Sequence, residues 1–184
     1  YDKGRFRIMN IEFGGGENPR QKWYRQVDVR KIDDQTIVCK AWDIEKHIEP
    51  NTVQNIYSRH FFEHLTRDQA DRTLKAWYNI CVPGAEITML IPNMNLHIWQ
   101  WLNWDKIDET SREWCLAGFY GWQRESDTSD WDLHKNCYDF EKLKTLVEKH
   151  KFKNIDKRMP DGPMSSITAN NQKQFKHLAV KFYK

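Results

Sequence analysis

A chain of 184 residues and 22.3 kDa is long enough to bury one core and too short for two full domains. Its 29 basic and 26 acidic residues leave a net charge of only +3, with no block of like charges, which argues against nucleic acid as a partner. A mean hydropathy of -0.87, no apolar run of membrane-spanning length and no signal-peptide core argue against a membrane, and four cysteines without a C-x-x-C pair read as reduced thiols of a cytoplasmic protein.

The first predicted element is a strand over 7–13, which runs straight into Gly14-Gly15-Gly16. Glycine has no Cβ and tolerates positive φ, so three of them after a strand leave room for a ligand against bare main chain, or for a tight turn. Further strands are expected over 25–29, 36–41 and 54–58. Thr66 and Gln69 form a capping box at the start of a helix over 67–80, with Ala70, Leu74, Trp77, Tyr78 and Cys81 at helical spacing. Pro83-Gly84 should stop that helix and turn the chain into a strand over 85–91.

Six of the tryptophans, Trp99, Trp101, Trp104, Trp114, Trp122 and Trp131, crowd a segment unlike the rest of the chain. After it, Asp139 caps a helix carrying Phe140, Leu143, Leu146 and Val147 on one face. Two strands, 152–157 and 175–183, close the chain, with a long loop over 160–174 between them. Without a helix to join them, they form an antiparallel hairpin.

This order gives an α/β layered fold with a mostly parallel sheet. The links between the first three strands are too short for crossover helices. One sheet face should therefore be thinly covered, unless a second subunit or the aromatic segment covers it.

His60-Phe61-Phe62-Glu63-His64 spells the inverted zinc-protease pattern, but that chemistry needs both histidines on one helix. Here the capping box opens the helix only after His64, and no metal is expected. The dinucleotide pattern fits at Gly14 and Gly16 but meets Pro19 in place of the third glycine, which disfavours a nicotinamide enzyme.

Taken in order, Gly14-Gly15-Gly16-Glu17-Asn18-Pro19, Ala41-Trp42-Asp43, Tyr57-Ser58-Arg59-His60 with Glu63-His64-Leu65, Pro83-Gly84 and a strand ending Ile91-Pro92 resemble class I S-adenosylmethionine-dependent methyltransferases. The likeness covers about residues 7–95 and extends through His134-Lys135 and Tyr138-Asp139-Phe140 to the last strand. It implies one domain over 1–184: a Rossmann-like three-layer sandwich with a mostly parallel seven-stranded sheet, a C-terminal antiparallel hairpin and shortened early crossover helices. It also implies S-adenosylmethionine as cofactor and S-adenosylhomocysteine as product.

By the family's pattern, Phe13, Gly14, Gly15 and Gly16 pass under the methionine and ribose, and Asp28 takes the ribose hydroxyls. Ala41, Trp42 and Asp43 would meet the adenine, while Ser58 and Arg59 follow the fourth strand. Lys40 and Gln54 stand where relatives carry aspartate. Residues 95–138 fall where such enzymes build an acceptor pocket. His97, Trp101, Trp104, Tyr120, Trp122 and Tyr138 are the expected lining, although the same rings also suit a core or a dimer interface.

His60 and His134 are the candidate bases, and Arg59 the candidate anchor for an anionic acceptor. The resulting expectation is methyl transfer to an oxygen or nitrogen of a small polar metabolite or sugar, with no nucleic acid or membrane partner and a homodimer as the candidate assembly. The alternatives are a cofactor-binding protein without transferase activity and an interaction module docking through the tryptophan segment.

Overall fold

The computed structural model describes residues 8–123, 131–158, 166–169 and 172–184. Alternation along β1 (Met9–Phe13) sends Ile11 and Phe13 into the core and Asn10 and Glu12 to the other face of the sheet. β2 (Arg25–Asp28), β3 (Ile37–Val38), β4 (Val53–Arg59) and β5 (Cys81–Pro92) are parallel to it. At the far side, β9 (His177–Tyr183) lies antiparallel between β5 and β6 (Lys153–Arg158), so the seven-stranded order is β3-β2-β1-β4-β5-β9-β6.

β1 neighbours both β2 and β4, so the strand order reverses there. In open α/β sheets such a reversal opens a crevice beyond the carboxyl ends of the two strands. Phe13 lies beside Ser58 in the ladder, which puts Gly14 and Arg59 at its mouth.

α1 (Arg67–Ile80) starts at the expected capping box: Thr66 Oγ1 accepts from Gln69 N at 3.3 Å, and Gln69 Oε1 accepts from Thr66 N at 2.9 Å. Its buried stripe of Ala70, Leu74, Trp77 and Ile80 packs on the sheet, and Trp77 is wholly buried against Phe13 and Phe62, at ring distances of 4.9 and 6.1 Å. α4 (Phe140–Lys149), capped by Asp139 as expected, adds Leu143 and Val147 to the same core.

Among the described residues, the opposite face carries a small apolar cluster of Tyr57, Leu90 and Ala179 with Tyr24. Its neighbours are polar rows, in which Asn55 Nδ2 donates to Asn10 Oδ1 at 2.8 Å and Lys181 pairs with Glu86 at 2.8 Å. Those side chains tolerate water, which is why this face stands without helices between the first strands.

Three boundaries differ from expectation. The third strand shrinks to two residues because Ala41–Lys46 winds into a 3-10 turn that buries Ala41 and Ile44. Pro83-Gly84 does not separate helix from strand. β5 begins at Cys81, and the turn is absorbed as a register break in which Gly84 takes φ +80°. The loop expected over 160–174 contains β7 (Ser166–Ala169) and β8 (Gln172–Phe175), paired antiparallel as a separate ribbon. A two-stranded ribbon is held by main-chain pairing and needs no apolar alternation, so its polar sequence read as loop. Residues 159–165, 170 and 171 of that stretch lie outside the described residues.

The tryptophan segment forms α2 (Met94–Leu102) and α3 (Glu109–Tyr120), which pack on each other. Asp108 caps α3, accepting from Ser111 N at 2.7 Å. Among the described residues no helix is long and apolar enough to cross a membrane, and all four cysteines are free.

Candidate active site

The loop after β1 is held at both ends. Gly14 takes φ +70°, donates to Val27 O at 3.2 Å, and a Cβ there would lie 2.7 Å from the Phe61 Cβ, so glycine is obligatory. At the far end the buried Glu12 carboxylate accepts from the main-chain N of Arg20 at 3.0 Å and of Gln21 at 2.8 Å.

Asp28 ends β2 with its side chain 5% exposed. Its Oδ1 accepts from Arg30 N at 3.0 Å and Arg30 Nε at 3.2 Å, whereas Oδ2 accepts nothing among the described residues. Cys39 N donates to Asp28 O at 3.0 Å, which brings the chain through Ala41 and Trp42 alongside. These residues, with Gly14, Phe61, Leu65 and Trp131, line a cavity of about 120 Å³. Burial pushes the Cys39 thiol up to about 11, so that wall is neutral. A bare main-chain loop, a carboxylate with one oxygen to spare and an apolar slot fit a nucleoside-bearing cofactor: the acid for its ribose hydroxyls, the slot for its base.

The second cavity, about 590 Å³, adjoins the first, and Arg30, His60, His64 and Asp132 line both. Arg59 and His60 reach it from the end of β4, His97 from α2, and Trp114, Ala117 and Gly118 from α3. Lys176 and His177 arrive from the break between β8 and β9. Asn93 pins that break, with its N donating to Lys176 O at 3.0 Å and its Nδ2 to Phe175 O at 2.8 Å.

Charge and protonation in this cavity follow from burial. It pushes His97 down to about 4, against the opposing hydrogen bond to Gln100, and His177 down to about 3, helped by His60 and Arg59, so both are neutral near pH 7. His134 is lowered by burial too, although Glu63 pulls the other way. Arg59 and Lys176 are lowered by burial but remain cations, and neither forms an ion pair among the described residues. Lys176 Nζ sits 4.0 Å over the Trp114 ring.

Under these rings lies Glu63, with a side chain 2% exposed. Burial alone would raise its carboxyl, but the hydrogen bond from His60 and the nearby His64 and His134 outweigh it and lower it. His60 Nδ1 stands 3.1 Å from Glu63 Oε1. That contact orients the ring and leaves His60 Nε2 as the nitrogen free to take a proton.

Of the residues expected from sequence, Phe13, Gly14, Asp28, Ala41 and Trp42 line the smaller cavity. Gly15 and Gly16 belong to the loop beside it. Gly15 faces the Gln26 side chain, and Gly16 takes φ +55° near Arg30. Asp43 turns away to Lys46 at 2.8 Å, and Ser58 is wholly buried in the core-facing row. Arg59, His60, His97, Trp122 and His134 line the larger cavity.

Trp101, Trp104 and Tyr120 do not. Trp101 packs on Trp104 and Phe119 at 5.7 and 5.8 Å, and Tyr120 is 53% exposed. Tyr138 lies in the core against Phe62 at 5.5 Å. Missing from the expectation were Glu12, Arg30, Glu63, Trp114, Asp132, Lys176 and His177. Glu12 had a signal, an acid two residues before the first glycine of the loop. Lys176 and His177 had none, since a strand break pinned from 82 residues away leaves no local trace.

No protein-family model matches the sequence, and no curated protein matches it. Its structure is similar to that of an S-adenosylmethionine-dependent methyltransferase from Archaeoglobus fulgidus, at 13% identity and a TM-score of 0.66 over 97% of this chain and 86% of that one. A methyltransferase of the same kind from Methanosarcina mazei matches at 10% identity and 0.62, over 98% and 94%. The 1,6-didemethyltoxoflavin-N1-methyltransferase of Burkholderia thailandensis, solved with that compound and S-adenosylhomocysteine, matches at 11% and 0.57, over 97% and 72%. At these identities the likeness establishes the fold, which is that of the S-adenosylmethionine-dependent methyltransferases.

Proposed function

We propose that this chain is an S-adenosylmethionine-dependent methyltransferase acting on an oxygen or nitrogen of a small anionic acceptor. The observation that carries the reading is the meeting of two cavities at His60, one built like a nucleoside site at the strand-order reversal and the other lined by Arg59 and Lys176, cations without an ion pair among the described residues. When bound, S-adenosylmethionine supplies an electrophilic methyl group on its sulfonium.

The main chain of Gly14–Gly16 and the spare oxygen of Asp28 would hold the cofactor's ribose and methionine part, and Ala41 and Trp42 its base. Arg59 and Lys176 would hold the acceptor's carboxylate or phosphate, and Trp114 and Trp122 would present flat walls to its body. In-line displacement requires the acceptor atom on the methyl axis, in a site that excludes water. His60, oriented through Nδ1 by Glu63, would take the acceptor's proton at Nε2, with His134 the second candidate. The Burkholderia neighbour, whose ligands are a small heterocycle and S-adenosylhomocysteine, supports a small-molecule acceptor.

The test is transfer of a labelled methyl group to matched anionic and neutral acceptors. Preference for the anionic member, reduced in Arg59→Gln, supports the reading. Labelling indifferent to acceptor charge and to Arg59 contradicts it.

A further inference from the structure

We propose that Glu63, His64 and His134 form a binding site for a divalent transition-metal ion, Zn²⁺ or Mn²⁺ in character, at the junction of the two cavities. One ligand atom from each of the three residues lies within 4.8 Å of the others. In place of the His60 and His64 pair that the H-x-x-E-H spelling suggests, the fold brings His64 beside His134, with ring centroids 4.8 Å apart.

The hydrogen-bond pattern is that of ligands. His64 Nδ1 lies 3.2 Å from Leu133 O, and His134 Nδ1 lies 2.9 Å from Gly118 O. A carbonyl oxygen only accepts, so each ring donates from Nδ1 and Nε2 is the nitrogen left for an ion. Metal-bound histidines are commonly fixed this way, by donating the other ring N–H to a carbonyl or carboxylate.

Glu63 supplies the independent observation. Its Oε1 meets His60 Nδ1 and stands 3.9 Å from His134 Nε2, and its Oε2 is buried without a hydrogen-bond partner among the described residues. A buried anionic oxygen without a donor is costly, and a cation is the partner that removes the cost. The ligands are also pre-positioned, because the main-chain N of Lys135 and Asn136 donate to Glu63 O at 2.9 and 3.1 Å, tying the segment that carries His134 to residue 63.

Two imidazoles and one carboxylate suit Zn²⁺ or Mn²⁺ better than Ca²⁺ or Mg²⁺, which prefer oxygen cages. Tetrahedral bonds of about 2.0–2.2 Å space ligand atoms by roughly 3.4 Å, so the side chains close on the ion by about 1 Å. Three ligands leave a position open, and His64 and His134 both line the larger cavity. An acceptor hydroxyl taking that position would lose its proton more readily, and His60 would receive it. That consequence rests on the methyl-transfer reading, whereas the ligation itself does not.

The test is titration of the metal-free 184-residue chain with Co²⁺ and no other ligand, read by visible absorption. The expected result is saturation at one ion per chain, weakened at least about tenfold in His64→Ala, His134→Ala and Glu63→Gln, and unchanged in His47→Ala, an exposed histidine outside the site. To remove any dependence on variant folding, Zn²⁺ should protect His64 and His134 of the wild-type chain from carbethoxylation, read residue by residue by mass spectrometry. Failure to saturate at millimolar Co²⁺, equal affinity in all the variants, or no protection of either histidine would overturn the site. Co²⁺ binding retained in a chain that does not bind S-adenosylhomocysteine would sustain the metal site and count against the methyltransferase reading alone.

Discussion

Gly118 on α3 faces His97 on α2 so closely that a Cβ at Gly118 would overlap the imidazole ring. The same residue's carbonyl accepts from His134 Nδ1 at 2.9 Å, so one glycine seats two cavity histidines. Gly118→Ala should force the ring or the helix to move, at an overpacking cost of about 1–3 kcal/mol. Chemical denaturation reads the loss. A change under about 0.5 kcal/mol would mean that the helices have room to spare.

The neutral His97 makes stability depend on pH. The unfolded chain protonates this imidazole near its ordinary value of 6.5, whereas burial holds the folded form at about 4. Between those values the unfolded state binds more protons, so stability rises with pH. The contribution is complete above about pH 6.5 and is lost as pH falls toward about 4, a difference on the order of 3 kcal/mol. Denaturation midpoints at about pH 7 and about pH 4.5 should differ less in His97→Gln than in wild type. Equal pH dependence in the two chains would contradict the assignment.

Glu12 acts on the cofactor loop without facing either cavity. Its charge-assisted bonds to the main chain of Arg20 and Gln21 close the loop that Gly14 opens. Glu12→Gln keeps the shape and removes the charge. It should cost about 1–2 kcal/mol of stability and weaken S-adenosylhomocysteine binding by more than about tenfold. Unchanged affinity would show that the loop holds its shape without the carboxylate.

His60→Gln separates chemistry from binding. If His60 takes the proton, kcat should fall by about 10²–10⁴-fold while S-adenosylhomocysteine affinity stays within a few-fold of wild type. A parallel loss of both would make His60 a cofactor contact, and unchanged turnover would leave positioning alone as the source of rate.

The strand and helix order was legible because each apolar stripe meets a single core: Ile11 and Phe13, Ile56, Ile87 and Met89, and the Leu74-Trp77 face of α1. The glycine loop and Asp28 were legible for a related reason, since both sit at strand ends whose positions the pattern fixes. The aromatic segment was not. Its rings recur on all sides of α2 and α3, so composition flagged Trp101, Trp104 and Tyr120 as readily as Trp122 and passed over Trp114, although of these only Trp114 and Trp122 reach the cavity. Nor did the spacing of His60, Glu63 and His64 reveal His134 as their companion, because residues far apart in the chain are brought together only by the tertiary fold.

The most direct measurement is calorimetric titration of the chain with S-adenosylhomocysteine, with NAD as the control ligand. Micromolar binding, about -8 kcal/mol, is expected, weakened at least about tenfold in Asp28→Ala and absent for NAD. No heat at millimolar S-adenosylhomocysteine, or an affinity untouched by Asp28→Ala, would contradict the placing of this cofactor between the glycine loop and the end of β2.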